Sequence, residues 1–234
     1  SSVLMLLIKN VYFNLVNILN IGINMYFALY NSIPASKSGA SNDALQIIYC
    51  LNDENYINTT SKVRKIQLLL MSGKDLKDID KTLFTKPNEF KTYGDVLNAM
   101  FYVDYIVSKE QYKEASDYCI KILNDAKDMI PKQNLITVKL QLIICLFNED
   151  KLDEIKNIWD KDIKKYLDQM GKILPIFVGI NYMYATLIEK NEVNSNKYFH
   201  QLKKINKKNL DKYQIKEIED LLNEVNTKRK KYYV

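Results

Sequence analysis

Gln111-Tyr-Lys-Glu-Ala-Ser-Asp-Tyr118, Lys151-Leu-Asp-Glu-Ile-Lys-Asn-Ile158 and Glu192-Val-Asn-Ser-Asn-Lys-Tyr-Phe199 can be laid over one another. Tyr112, Leu152 and Val193 then correspond, as do Tyr118, Ile158 and Phe199, at intervals of 40 and 41 residues. Each segment follows an apolar stretch of helical length, at 93–108, 133–147 and 173–189. Each pair is joined by a short polar turn: Lys109-Glu110, Asn148-Glu-Asp150 and Lys190-Asn-Glu192. Two helices in a period near 40 point to an α-solenoid, because one hairpin cannot bury its own apolar face without a neighbour. Tyr112, Tyr118, Leu152, Ile158, Trp159, Val193 and Phe199 are expected in the seams between hairpins. Residues 213–230 read as a final capping helix.

The segments resemble tetratricopeptide-like repeats over residues 93–207. The period is longer than usual for that family, and its Trp, Gly and Pro landmarks are missing. The expected fold class is all-α. Six Gly and four Pro in 234 residues agree, since so little punctuation favours long helices. The three cysteines, Cys50, Cys119 and Cys145, are far apart and show no CxxC spacing, which argues against a disulfide framework. Cys119 and Cys145 sit among apolar residues and read as core. Of the net charge of +6, residues 197–234 carry all, with 11 basic against 5 acidic side chains. Such a tail reads first as a solvated Lys-rich helix and second as an attractor for anionic surfaces.

Toward the N-terminus the character changes. Residues 10–36 hold no charged side chain. Residues 3–33 read as one long helix, or two broken near Gly22, long enough to cross a bilayer core that takes about 20 residues. Asn10, Asn17, Asn24 and Asn31 recur every seven residues, with Asn14 on the same face. Such a polar stripe suits a membrane helix facing other helices, with a soluble amphipathic helix as the alternative. Domain organisation follows: 1–34, an apolar helix of transmembrane length; 35–92, a linker loop and short helices at 44–51, 59–71 and 75–84; 93–234, the helical-hairpin domain. No basic n-region and no clear cleavage site mark a signal peptide. A chain opening directly in an apolar segment reads as a fragment of something longer.

The reactive inventory is thin. The single histidine, His200, lies in a Lys-rich segment with no nucleophile at a motif spacing. There is no GxGxxG, GxxxxGK[ST] or GxSxG. Asp43 stands out by its setting: Asn31-Ser-Ile-Pro34, a short loop containing Gly39, then Ser41-Asn-Asp43 ahead of an apolar helix. Read alone, Asp43 is a helix N-cap. The whole pattern resembles the late membrane motif of the site-2-protease-like zinc metallopeptidases, family M50, over residues 10–50. The resemblance implies that Asp43 is the third zinc ligand and that Asn31 orients a substrate strand or the Asp loop. It also implies a Zn²⁺ cofactor present only in a longer parent protein carrying an H-E-x-x-H helix. Ala44 stands where the family has Gly, and no H-E-x-x-H occurs here, so no catalytic residue lies within this chain.

The resulting expectation is the C-terminal portion of a bacterial membrane-embedded zinc metalloprotease, inactive as this fragment. Residues 3–33 would contact membrane lipid. The cytoplasmic repeats would bind a peptide or protein partner for regulation or substrate binding. The alternative is a soluble, cytoplasmic helical-repeat scaffold mediating protein–protein interaction. No specific nucleic-acid partner is expected, since the basic tail carries no base-reading motif.

Overall fold

The computed structural model describes residues 11–34, 36–37, 40–41, 43–205, 210 and 212–233. The described chain is helical, apart from a hairpin of two-residue strands, β1 (Ser36–Lys37) and β2 (Ala40–Ser41), within the expected loop. Gly39 of that loop, Asn10 of the asparagine series and residues 3–8 of the apolar stretch lie outside the described residues. Two compact units are distinguished. One comprises Ser1–Phe101 and Asp128–Asn134; the other comprises Tyr102–Lys127 and Leu135–Val234.

In the first unit, α1 (Val11–Ser32) precedes the strands, and α2 (Asp43–Asn52) and α3 (Glu54–Met71) follow. Among the described residues no helix is long and apolar enough to cross a membrane. That corrects the expectation of a spanning helix for the described part: Asn14, Asn17, Asn20, Asn24 and Asn31 dilute the apolar side chains of α1. The expected helix at 75–84 is instead two 3₁₀ turns, Leu76–Asp78 and Lys81–Leu83. Asp80 separates them by accepting from Thr82 N–H at 2.9 Å, a local bond that competes with helix propagation.

Asp53 organises this unit. Its side chain accepts from Tyr56 N–H at 3.0 Å, capping α3, and from Gly94 N–H at 2.8 Å, in the first turn of α4 (Tyr93–Ser108). One buried carboxylate thus satisfies free donors at two helix N-termini. Asp95 takes the backbone N–H groups of Lys91 and Thr92, both at 2.9 Å, and the Asn55 amide at 3.0 Å. The two backbones come so close that a Cβ on Gly94 would lie 2.6 Å from the Asn55 carbonyl carbon. Tyr49, Tyr56 and Tyr93 cluster beside them with ring centroids 5.1–6.0 Å apart.

From α4 onward the helices come in pairs: α4 with α5 (Tyr112–Asp125), α6 (Lys132–Asn148) with α7 (Leu152–Ile158), and α9 (Ile176–Leu187) with α10 (Glu192–Lys204). An additional helix, α8 (Lys161–Met170), follows α7, and α11 (Lys212–Tyr233) closes the chain. The turns hold the only non-glycine residues with positive φ among those described: Glu110 at 60°, Asp150 at 60° and Lys190 at 54°. They are spaced by 40 and 40. Gln111 N–H reaches Ile106 C=O at 3.0 Å, and Lys151 N–H reaches Leu146 C=O at 2.9 Å. Each closure lets a left-handed residue satisfy the last carbonyls of a helix and reverse the chain. The third turn closes differently, from Asn191 N–H to Ala185 C=O at 2.9 Å.

Burial keeps the same period. Val103, Ile143 and Met183 are buried, as are Ile106, Leu146 and Thr186, and Ala115, Ile155 and Ser195. The second interval is therefore 40, not 41, which corrects the alignment of Val193 with Leu152. Val193 is 79% exposed, and Glu192 takes the equivalent position. Tyr118 is buried; Tyr112, Leu152, Ile158, Trp159 and Phe199 are half-buried. An offset of one residue turns a helical side chain by about 100°, enough to move Val193 out of the seam. Apolar matching favoured 41; the geometry of the turn imposes 40.

This register is testable by stability. Val193→Ser is expected to change the unfolding free energy by less than about 0.5 kcal/mol. Ile155→Ala, at a fully buried position, should cost about 2–5 kcal/mol. Urea titrations followed by circular dichroism compare the two directly; equal losses would restore the 41-residue interval.

Candidate functional site

Hairpin two departs from the other two. Its second helix breaks after Ile158, where Trp159 takes extended backbone angles and Asp160 caps α8. Asp160 accepts from Ile163 N–H at 2.9 Å and from Lys139 Nζ of α6 at 2.5 Å. Burial pushes the Asp160 carboxyl up, but these two donors hold it below its usual range. The break is thereby fixed to the preceding helix by a charge-assisted bond.

α8 is strongly two-faced. Ile163 and Leu167 are fully buried, while Lys161, Lys165 and Asp168 are exposed. It docks on α9 through Tyr166 edge-on to Phe177, centroids 5.8 Å apart, and through Asn181 donating to Asp168 at 3.3 Å. Trp159 stacks on Tyr184 with centroids 3.7 Å apart and planes 8° from parallel. The outcome is an open groove of about 690 Å³ walled by Trp159 and the outer face of α8 as far as Lys172. That volume falls within the range of about 300–1,000 Å³ typical of ligand clefts.

The groove carries excess positive charge. Of its two carboxylates, Asp160 is taken by Lys139, and Asp168 by Lys164 at 3.1 Å and by Asn181. Burial works to lower the Lys164 pKa; bonds to the Tyr198 hydroxyl and to Asp168 outweigh it and raise the pKa. Lys161, Lys165 and Lys172 line the same wall and pair with no carboxylate among the described residues. Sequence reading picked out Trp159 only as a seam residue. The spacing of Lys161, Lys165 and Asp168, which puts the three on one face of a helix, was the available signal.

The expected site residues lie elsewhere. Asp43 is the first residue of α2 and exposed; it sits inside the first turn, beyond the cap position, and Asn42 lies outside the described residues. An acidic residue there complements the helix dipole. Asn31 is in the last turn of α1 and half-buried. No group of three His, Cys, Asp or Glu among the described residues is placed to hold a metal ion. A catalytic zinc takes three protein ligands and a water, so these residues do not build that centre. His200 is exposed on α10. No known protein family, curated protein or solved structure matches the chain.

One ionisable group is held out of its usual range close to the hairpin core. Burial pushes the Asp104 carboxyl up to about 6, against the opposing bond from Gln141 Nε2. The other end of that amide, Gln141 Oε1, is buried without a partner. A protonated Asp104 can donate a hydrogen bond where a carboxylate cannot. Burial raises the pKa of Cys119 as well, and that of Cys145 to about 12, so both thiols stay protonated and inert.

The raised Asp104 pKa means that the folded state holds a proton which the unfolded chain releases near pH 4. Its contribution is full below that pH and is lost as pH rises through about 6. Asp104→Asn should therefore be near neutral at pH 4 and stabilising by about 2 kcal/mol at pH 7.5. Denaturant titrations at the two pH values measure this; a gain equal at both would remove burial of the charge as its cause.

Proposed function

We propose that residues 93–233 act as a helical-hairpin repeat scaffold, of tetratricopeptide-like solenoid type, that binds a peptide segment of a partner protein. The carrying observation is the return of a left-handed turn and of the same buried positions every 40 residues. Stacked hairpins provide extended surfaces that neighbouring units shape together. The groove at Trp159 supplies a cleft of ligand size on that surface. Selection of the folded chain against a displayed library of random peptides should enrich a common motif binding in the micromolar range. Enrichment no better than on heat-unfolded chain would count decisively against a scaffold.

A second reading is favoured by α1. Its apolar side chains, among them Leu19, Met25, Phe27 and Leu29, are exposed around the helix, while the polar Asn17 and Asn31 are among its least exposed positions. So many uncovered apolar side chains on one helix suit lipid or a protein partner. On this reading the chain belongs to a membrane-associated zinc peptidase resembling family M50, with the hairpins on the cytoplasmic side. The ligands beyond Asp43 would have to come from outside this sequence. In a vesicle flotation assay the chain should rise with the lipid, and the chain lacking residues 1–34 should stay at the bottom. A monodisperse monomer in detergent-free buffer that ignores vesicles would dismiss the membrane reading. It would leave the scaffold reading standing.

A further inference from the structure

We propose that the groove walled by Trp159 and the outer face of α8 takes an acidic, extended segment of a partner protein. Its carboxylates would meet Lys161, Lys165 and Lys172, and an apolar side chain would lie against Trp159. The inference rests on the scaffold reading and names its ligand class. Three observations converge on it. Lys161 and Lys165 fall four residues apart, hence on one stripe of α8, Lys172 follows just past its end in the same groove wall, and Ile163 and Leu167 anchor the opposite face in the core. Both carboxylates in the groove are already engaged, Asp160 by Lys139 and Asp168 by Lys164 and Asn181, so the three lysines remain uncompensated. Finally, the Tyr184 stack holds the indole at the groove wall in one orientation, so an apolar contact there costs little ordering entropy.

The same details favour a peptide over a phosphate chain. A nucleic acid carries its charges at a fixed spacing, one on every nucleotide. A peptide can space its carboxylates to the lysines and offer backbone N–H groups to Asp168 and Gln169. Electrostatic attraction of this kind steers association and selects partners by sign.

Trp159 is the single tryptophan of the chain, so its emission reports on the groove alone. The test titrates the full chain with a fluorescein-labelled peptide of about a dozen residues, alternating Glu with Ser around a central Phe. Parallel titrations use the same peptide with Gln for Glu, a poly-dT strand of similar length, and phosphatidylserine-containing vesicles. The acidic peptide should shift Trp159 emission and bind at least tenfold more tightly than its Gln counterpart. Lys161→Glu with Lys165→Glu should lose at least tenfold in affinity. The control pair Lys77→Glu with Lys127→Glu, exposed and of equal net charge, should change it by less than twofold. Equal affinity for the two peptides, or an unchanged affinity in the Lys161/Lys165 variant, overturns the proposal. Tighter binding of poly-dT or vesicles with a Trp159 shift overturns it in favour of a phosphate ligand. Library-selected peptides that bind regardless of the charge reversal sink this inference alone; absence of any peptide binding sinks the scaffold reading with it.

Discussion

Three backbone reversals impose the order of the C-terminal half. Each needs a residue in the left-handed region, where an L side chain costs about 1–2 kcal/mol and glycine would cost nothing. Glu110, Asp150 and Lys190 occupy these positions nonetheless. The strain persists because each turn satisfies carbonyls that a helix end would otherwise leave free. At Asp150 there is a further compensation. Its carboxylate takes Lys228 and Lys231 of α11, and those bonds hold its pKa below the usual range. Lys228 is itself nearly buried, over the Phe147 ring at 4.9 Å. A glycine there would relieve the backbone and leave that lysine with Glu224 alone, at 3.4 Å.

The terminal helix is therefore more than a solvated basic tail. Val225 is fully buried and stands 40 residues after Ala185, so α11 takes the place of the first helix in a further hairpin. Gly179 makes room for it: a Cβ at that position would come within 2.8 Å of a Leu221 methyl. The close fit of Leu221 at Gly179 and the ion pair from nearly buried Lys228 to exposed Asp150 together fasten α11 to the preceding helices. The groove arises from the opposite circumstance. Hairpin two lets its second helix break at Trp159, and the extra helix α8 turns its lysines outward.

The N-terminal unit works by a different logic. There the ordering element is the buried Asp53 carboxylate, shared between the N-termini of α3 and α4, with Gly94 admitting the close approach. α2 contributes to that core the ring of Tyr49, packed against Tyr56 and Tyr93. No residue of α2 is buried, and the described side chains of α1 are mostly exposed. A helix that leaves most of its apolar side chains uncovered gains little from hydrophobic burial.

Much of this was legible in the residues themselves. Polar turns between apolar stretches of helical length marked the hairpins, and few glycines and prolines marked the class. Buried Cys119 and Cys145 followed from their apolar neighbours. What the sequence alone determined was the existence and approximate period of the helix pairs, because periodic burial writes itself into composition. The phase was not legible. Val193 and Phe199 matched an interval of 41 as well as any residues matched 40, and only the backbone at Lys190, with φ of 54°, decided between them. The break at Trp159 was equally hidden, since it depends on Lys139, twenty-one residues upstream, reaching Asp160. The tertiary structure decided the groove for the same reason. Its charge is set by which carboxylates are already paired, and pairing is a property of distances between helices rather than of any one of them.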